Sequence, residues 1–284
     1  MNKKKYIQYT SDIHLEFWKK GFPVIEPVEK DNSYLVLAGD IGYPHQVNYK
    51  QFIEHHSKFF KHIIIVAGNH EYYSSKNKQY TIDDIEEKIK SICEEFKNVT
   101  FLQKSFIEIE NTVFIGCTLW SEIKNFSIAE RCMNDYSNIY IKNLNQNRDR
   151  TRTKFNEHTF GCKKIRIKKR RDILYPEHIF DTYKTHCSWL FEQISNMSLK
   201  DVVVITHHAP SLNLLNEINM YSGFYASDLD QKIINNPNIK FWIFGHTHFN
   251  IEKTIGNTKC VSNCKGYKGF NIEHYNPDKY IQID

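Results

Sequence analysis

The sequence of 284 residues lacks any long apolar run, and no segment approaches the roughly 18 to 20 consecutive apolar residues of a membrane-spanning helix. Its first six residues are basic, but they lack the apolar stretch and the small-residue cleavage site of a secretory signal. We therefore expect a cytoplasmic protein that has no association with a membrane.

Cysteine pairs are missing as well. The seven cysteines are an odd number, they are dispersed along the chain, and none forms a Cys-x-x-Cys pair. This pattern favours reduced thiols over a disulfide framework. Cys260 and Cys264 could hold a metal ion, but no second pair completes a zinc site, so the sequence favours thiols without a metal.

The composition is that of an ordinary globular protein. Hydrophobic residues make up 40% of the chain and charged residues 25%, which excludes the disordered, collagen-like and coiled-coil classes. The formal net charge of +5 is modest and owes much to the run Lys163–Arg171, so the molecule as a whole is not a polycation. The length favours one large domain over residues 1–284.

Short apolar runs that alternate with amphipathic segments predict the fold. The runs read as buried strands over Tyr6–Thr10, Tyr34–Ala38, Ile63–Ala67, Val113–Cys117, Val202–Thr206 and Phe241–Phe244. Apolar residues at helical spacing predict helices over about 47–60, 81–96, 178–197 and 227–235, with Thr81 as an N-cap. The alternation predicts an α/β fold, a layered sandwich with two mixed central β-sheets flanked by helices, and some antiparallel pairing within 240–284. The polar, basic segment 142–176 interrupts the pattern and is predicted to be an insertion or cap.

Metal-binding side chains follow the first two strands. Asp12 and His14 stand two residues apart, and in extended backbone such residues point to the same side, so a carboxylate and an imidazole converge. Asp40 follows the second strand, at the end where open α/β sheets commonly bind ligands, and its carboxylate can bridge two cations. Taken singly, each motif is explained better by an ordinary turn.

Three further strand ends carry an amide or imidazoles. They are Asn69 with His70, His207 with His208, and His246 with His248. Side-chain alternation does not decide which member of the second pair would bind a metal ion, whereas the spacing of the third pair is a strong local metal signal. Five strand ends with Asp, Asn or His in this order are improbable as independent accidents.

The order Asp-x-His, Gly-Asp, Gly-Asn-His-Glu, His and Gly-His-x-His, between residues 12 and 248, resembles the calcineurin-like metallophosphoesterase superfamily. Further segments are similar to its bacterial-type predicted phosphohydrolases. They are Thr118–Ser121, Met133–Tyr136, Ser188–Leu190, Thr206–Ser211 and Gly266–Tyr267. The resemblance covers nearly the whole chain and implies hydrolysis of phosphoesters.

The resemblance also implies a binuclear metal centre with a bridging hydroxide for in-line attack on phosphorus. It gives one ion to Asp12, His14 and His248 and the other to Asn69, His207 and His246, with Asp40 bridging both. His70 is the candidate for stabilising or protonating the leaving oxygen, oriented by Asp12 or a neighbour. Nitrogen and oxygen ligands without thiolate favour Mn²⁺, Fe²⁺/Fe³⁺ or Zn²⁺ as the two divalent ions.

The substrate is less well defined than the reaction. Ile41–Pro44 stands where Ser/Thr protein phosphatases of the superfamily carry an arginine that clamps phosphate, which argues against that class. A phosphorylated small molecule or a nucleotide remains, with phosphodiesters slightly preferred over monoesters. Aromatic residues near the motifs could line a pocket for a base or aryl group, although core packing is their default role: Phe17, Trp18, Tyr43, Tyr72, Tyr73 and Trp120.

Two alternatives stay open. The basic run Lys163–Arg171 could follow a nucleic-acid backbone and make the protein a nuclease, although a solvated loop is the better explanation of this run. The chain could also be a non-catalytic binding module on the same fold, but such a module would be expected to have lost ligands or His70, and every position is occupied.

Overall fold

A computed structural model of the protein describes residues 4–74, 78–142, 152–154, 163–165 and 173–283. Its strands are, in chain order, β1 (Lys5–Thr10), β2 (Ser33–Ala38), β3 (His62–Val66), β4 (Val99–Phe101), β5 (Ser105–Ile109), β6 (Thr112–Cys117), β7 (Arg152–Lys154), β8 (Lys163–Ile165), β9 (Asp201–Thr206), β10 (Ile239–Phe244), β11 (Glu252–Ile255), β12 (Thr258–Ser262) and β13 (Tyr280–Ile283). Its helices are α1 (Val47–Ser57), α2 (Ile82–Cys93), α3 (Phe126–Cys132), α4 (Asp135–Asn138), α5 (Pro176–Asn196) and α6 (Asp230–Ile234).

Two mixed β-sheets form the centre of the fold. The first has the order β13-β1-β2-β3-β4, in which β1 to β4 run parallel and β13 is antiparallel to β1. The second has the order β11-β12-β10-β9-β6-β5, with four parallel strands at its centre and an antiparallel strand at each edge. The predicted α/β sandwich and the antiparallel pairing within 240–284 are confirmed.

An apolar layer between the sheets explains why the strands read as nearly continuous apolar runs. All residues of β2 and of β6 are buried, because a central strand of a sandwich is covered on both faces. Tyr9 and Val36 of the first sheet lie in the same apolar cluster as Val203 and Ile243 of the second. Leu35, on the opposite face of β2, belongs instead to the cluster that contains the apolar side chains of α1 and α2.

The helices cover the outer faces of the sheets. At the start of α2 the Thr81 hydroxyl accepts a hydrogen bond from Asp84 N at 3.3 Å, and the Asp84 carboxylate accepts one from Thr81 N at 2.9 Å. This capping box confirms the predicted N-cap. Ile85, Ile89 and Ile92 form the buried face of the helix. None of the described helices has both the length and the apolar character needed to cross a membrane.

Sequence patterns did not predict β4 and β5. β4 has three residues, too few to show a pattern. Among the described strands β5 pairs only with β6, at the edge of the second sheet, and its side chains alternate between partly buried and exposed. A continuous apolar run is therefore absent from β5, and such a run was the signal for the six strands β1, β2, β3, β6, β9 and β10.

The predicted insertion at 142–176 falls largely outside the described residues. Its described part includes the antiparallel pair of β7 and β8 and the start of α5. Most of the basic run Lys163–Arg171 also lies outside them. The prediction of one domain over 1–284 with an inserted segment stays a prediction.

The five sequence motifs meet at one edge of the sandwich. They follow the carboxyl ends of β1, β2 and β3 in the first sheet and of β9 and β10 in the second. Backbone hydrogen bonds tie neighbouring ends together, from Asp12 N to Gly39 O at 3.0 Å and from Gly245 N to His207 O at 2.9 Å. Both sheets therefore deliver their polar side chains to the same place.

Candidate metal centre

Asp12, His14 and His248 form the first group of candidate ligands, and their ligand atoms lie within 4.8 Å of one another. His248 Nε2 is 3.2 Å from both His14 Nε2 and Asp12 Oδ1. Glu16 Oε1 lies 3.0 Å from His14 Nδ1, so a proton on Nδ1 can be donated to the carboxylate. That tautomer leaves the Nε2 lone pair of His14 pointing into the group, as a metal ligand requires.

Asp40, His207 and His246 form the second group, which also lies within 4.8 Å. His207 Nδ1 donates to Ala38 O at 2.9 Å, so the His207 Nε2 lone pair faces Asn69 Oδ1 at 3.1 Å and Asp40 Oδ1 at 3.4 Å. The structure thus places His207 of the His207–His208 pair in the group. His208 is buried behind it, with its ring 4.1 Å from the ring of His246.

Asp40 lies between the two groups. Its Oδ2 is 3.9 Å from His14 Nε2, and its Oδ1 is 3.4 Å from His207 Nε2. The same Oδ1 accepts a hydrogen bond from His70 N at 2.8 Å. The structure therefore brings all seven predicted ligands together around this carboxylate, while their role as ligands stays a prediction.

The donor set fits a pair of cations. Lone pairs of carboxylate, amide and imidazole atoms converge at 3.1 to 3.4 Å, which is repulsive unless a proton or a metal ion lies among them. His246 Nε2 is buried and has no hydrogen-bond partner among the described residues, as expected of a nitrogen that serves as a metal ligand. Nitrogen and oxygen donors of this kind suit Mn²⁺, Fe²⁺/Fe³⁺ or Zn²⁺. The buried Cys260 and Cys264 belong to neither group.

Burial and neighbouring charges shift the pKa values of these candidate ligands in different directions. Burial works to raise the pKa of Asp12, but its contact with His248 holds the value well below the usual range. Burial also opposes ionisation of His207, yet the charge of Asp40 raises the pKa of this histidine to about 9, so a metal ion that binds at Nε2 would displace a proton there. Burial and the nearby His207 lower the pKa of His246 to about 3, which keeps its imidazole neutral and able to bind a cation.

The backbone at the motifs is not the extended one that the sequence analysis assumed. Five of the candidate ligands have a left-handed conformation: Asp12, His14, Asp40, His246 and His248, with φ between 49° and 67°. Each such residue costs on the order of 1 kcal/mol or more, and such strain concentrates at functional sites. Side chains two residues apart converge here because the chain turns sharply after the strand, so the predicted convergence holds but its assumed cause was wrong.

His70 lies beside the first group. Its Nδ1 is 2.9 Å from Glu16 Oε1, the oxygen that also contacts His14. Burial works to lower the pKa of His70, but the charges of Asp40 and Glu16 outweigh it and raise the value to about 9. The neighbour that orients this imidazole is therefore Glu16, which the sequence analysis did not single out although it stands two residues after His14.

A second buried carboxylate orients Asn69. Asp135 Oδ1 accepts hydrogen bonds from Asn69 Nδ2 at 2.9 Å and from the Tyr73 hydroxyl at 2.8 Å. Because the amide nitrogen is held on that side, the amide oxygen faces His207, where a metal ligand is needed. Asp135 lies in the Met133–Tyr136 segment of the family resemblance, which gave no hint of this role.

Glu71 and two glycines fix the strand ends themselves. The Glu71 carboxylate accepts hydrogen bonds from the backbone N–H groups of Asp40 and Gly68 at 2.8 and 2.7 Å, and from two residues after Asp40. At Gly39 a Cβ would lie 2.4 Å from His207 Nδ1, and at Gly68 it would lie 2.2 Å from Asp40 Oδ1. Only glycine leaves room for two strand ends to pack this closely.

The aromatic residues divide into core and rim. Tyr72 and Trp120 are buried and stack on each other at 5.9 Å, as core packing predicts. Tyr73 stacks on His70 at 4.3 Å. Tyr267, which the sequence analysis treated only as part of the resemblance, stacks on His14 at 4.3 Å.

Comparison with known proteins agrees with this geometry. The model of the calcineurin-like phosphoesterase family matches residues 7–250. The chain is 30% identical over 303 positions to an uncharacterised protein, L509, of Acanthamoeba polyphaga mimivirus, an alignment that covers 99% of this chain and 97% of that one. The crystal structure of phosphopantetheinyl hydrolase (PptH) from Mycobacterium tuberculosis has a similar fold, with a TM-score of 0.66 and 11% identity over 93% of this chain and 90% of that one.

The chain belongs to the calcineurin-like phosphoesterase family. It is therefore a hydrolase, a metallophosphoesterase, and its clustered histidines and aspartates could hold metal ions.

Proposed function

We propose that the protein hydrolyses phosphoesters at a binuclear metal centre, with a slight preference for phosphodiesters. One observation carries this proposal. The two carboxylate oxygens of Asp40 face different histidines, Oδ2 toward His14 and Oδ1 toward His207. A carboxylate in this position can serve both ligand groups at once.

Each group would hold one ion: Asp12, His14 and His248 the first, Asn69, His207 and His246 the second, with Asp40 shared between them. When bound, two divalent ions supply a water of lowered pKa for attack on phosphorus and positive charge for the phosphoryl oxygens. The ligand types suit Mn²⁺, Fe²⁺/Fe³⁺ or Zn²⁺.

His70 is the proposed proton donor to the leaving oxygen. The Glu16 carboxylate beside Nδ1 favours the protonated imidazole at neutral pH. Nδ1–H is donated to Glu16 at 2.9 Å, which leaves Nε2–H for the substrate. Glu16 thus sets the orientation of the acid and, through the same oxygen, that of His14.

The test is a metal and rate measurement on purified protein. The protein is stripped with chelator, reloaded with Mn²⁺, and assayed for bound metal and for hydrolysis of an aryl monoester, an aryl diester, cyclic nucleotides and oligonucleotides. We expect two ions per chain and the highest kcat/KM for a diester. One ion per chain, or a clear monoester preference, would contradict the corresponding part of the proposal.

Two variants separate the proposed roles. Asp40→Asn should lose metal and activity together. His70→Ala should keep both ions and lose about 10²- to 10⁴-fold in kcat, the usual contribution of a positioned acid. His274→Ala is the matched control, because His274 is exposed and contacts only its neighbour Glu273 among the described residues. Full activity of His70→Ala would remove His70 from the mechanism.

Nuclease activity is the second candidate, and no described side chain favours it because the basic run Lys163–Arg171 lies mostly outside the described residues. If this run binds a nucleic-acid backbone, the logarithm of affinity should fall steeply with the logarithm of salt concentration. Replacing its lysines by glutamine should make that slope shallower. An unchanged slope would exclude the run as a nucleic-acid site.

A further inference from the structure

The rim of the metal centre next to His14 is aromatic. The Tyr267 ring stacks on the His14 imidazole with centroids 4.3 Å apart and an angle of 27°, and it meets the His248 ring at 4.9 Å. The chain turns on both sides of this tyrosine, with φ of 74° at Gly266 and 91° at Gly269. Tyr267 therefore forms an aromatic wall against the His14 and His248 side of the centre.

Two exposed phenylalanines extend this wall outward. Phe17 meets the Tyr267 ring at 5.4 Å and 82°, and Phe270 meets it at 6.4 Å and 72°. Phe17 is 50% exposed and Phe270 is 68% exposed, although both come from segments that are anchored next to the centre. Adjacent apolar rings left in water beside a polar site have the character of a ligand-binding surface.

Positive charge borders the same rings. Lys268 Nζ lies 4.5 Å from the centroid of the Trp18 ring, and Lys265 Nζ lies 5.4 Å from it. Two ammonium groups are thus held on one indole ring, next to Phe17 in the chain. This arrangement attracts an anionic ligand toward the neighbouring aromatic rings, which can pack against a flat ring of the ligand.

We infer that the preferred substrates are phosphoesters whose organic group carries a planar aromatic ring, and that this ring stacks on the surface formed by Phe17, Tyr267 and Phe270. The inference rests on the proposed function, because it places the phosphoryl group at the metal centre beside Tyr267. Nucleotides and aryl-alkyl phosphates share this chemistry. An aromatic ring bound between such side chains gains from edge and face contacts that a saturated ring of the same size does not make.

A matched pair of substrates tests the inference. Benzyl and cyclohexylmethyl phosphoesters have similar shape and similar leaving alcohols and differ in aromaticity, and each is offered as a monoester and as a methyl diester. With Mn²⁺-loaded protein we expect kcat/KM to be about tenfold higher for the benzyl ester, equivalent to about 1.4 kcal/mol, with most of the difference in KM. Equal kcat/KM values would overturn the inference and leave the proposed function intact.

Variants locate the effect. Phe17→Ala combined with Phe270→Ala should bring the benzyl to cyclohexylmethyl ratio close to one. Phe106→Ala is the control, since Phe106 is similarly exposed at 47% but lies on the edge strand β5. A ratio that survives in the double variant would refute the assignment of this surface. Adenosine 5′-monophosphate compared with ribose 5-phosphate then distinguishes a nucleobase from a simple aryl group.

A binding measurement keeps the inference testable without turnover. Benzylphosphonate and cyclohexylmethylphosphonate cannot be hydrolysed, and their Kd values are measured by calorimetry with the Mn²⁺-loaded protein. We expect the aromatic phosphonate to bind about tenfold more tightly, and less so in the double variant. Failure to hydrolyse any ester would count against the proposed function, whereas equal Kd values for the two phosphonates would count against the inference.

Discussion

Replacing Gly68 by alanine should damage the metal centre without touching a predicted ligand. Gly68 does not have a positive φ, so its backbone conformation suits alanine and only the added methyl group matters. That Cβ would lie 2.2 Å from Asp40 Oδ1, 2.6 Å from Asp40 N and 2.7 Å from His207 Cε1. Each distance is well below van der Waals contact, and one of them is to backbone, which cannot rotate away.

The size of the effect follows from what must move. Overpacking of a tight site costs about 1 to 3 kcal/mol. Moving the Asp40 carboxylate also weakens the 2.8 Å hydrogen bond from His70 N, and a bond to a charged group is worth about 1.5 to 3 kcal/mol. We expect the free energy of unfolding to fall by about 3 kcal/mol or more, and the midpoint of thermal unfolding by about 6 °C or more. Mn²⁺ affinity should fall too, because Asp40 is displaced.

Gly223→Ala is the matched control. Its Cβ would meet only Glu122 O, at 3.4 Å, and its φ is not positive, so the same substitution there should be neutral or stabilise by up to about 1 kcal/mol. Urea denaturation of metal-free protein and calorimetric Mn²⁺ titration compare the two variants. If Gly68→Ala is as stable as Gly223→Ala and binds Mn²⁺ equally well, the packing of these strand ends is not as tight as described.

Three further outcomes are expected. Asp135→Asn should weaken binding of one Mn²⁺ by about 10- to 100-fold, because the amide no longer holds Asn69 as firmly; calorimetry showing two unchanged sites would contradict this. Removal of metal by chelator should lower the midpoint of thermal unfolding, and added Mn²⁺ should restore it. At a free Mn²⁺ concentration of 100 times Kd, each site should add about 2.7 kcal/mol to the free energy of unfolding. A midpoint that changes with neither treatment would contradict the metal centre. Burial, with a smaller effect of Lys104, lowers the pKa of His186 to about 3 in the folded protein. In the unfolded chain this pKa is about 6.5, so below that pH the unfolded state binds a proton that the folded state does not. His186 therefore costs stability as pH falls from about 6.5 toward the folded-state value. From pH 7.5 to 5.5 the stability of His186→Leu should therefore fall by about 1.4 kcal/mol less than that of the wild type in urea denaturation, and equal losses would argue against the shift.

The sequence was sufficient for the fold class and for the residues that meet at the centre. Asp, Asn and His are suitable metal ligands, and parallel strands end at the same edge of a sheet. Such a residue directly after an apolar run therefore indicates both a ligand and its place in the fold. The choice between His207 and His208 was not accessible in this way. It depends on which ring turns toward Asp40 after the strand has ended, and the structure assigns that position to His207.

Residues that act through other residues were also missed. Glu16 contacts His14, its near neighbour, and His70, which lies far along the chain. Asp135 reaches Asn69 from a separate helix. Neither contact has a spacing rule, because both depend on how distant segments approach each other in three dimensions. The left-handed backbone at the motifs was not predicted either, because aspartate and histidine indicate this conformation much less strongly than glycine does.

The pairing of β13 with β1 has a consequence for synthesis of the protein. β1 leads into Asp12 and His14 and is flanked by β2 on one side and β13 on the other. During translation β13 emerges long after β1 to β3, roughly 10 to 40 s later at common elongation rates. Throughout that interval β1 presents an unpaired edge that can recruit another nascent chain. Translation that terminates between His248 and Tyr280 would release a polypeptide with all seven candidate ligands and an unpaired sheet edge, prone to aggregate.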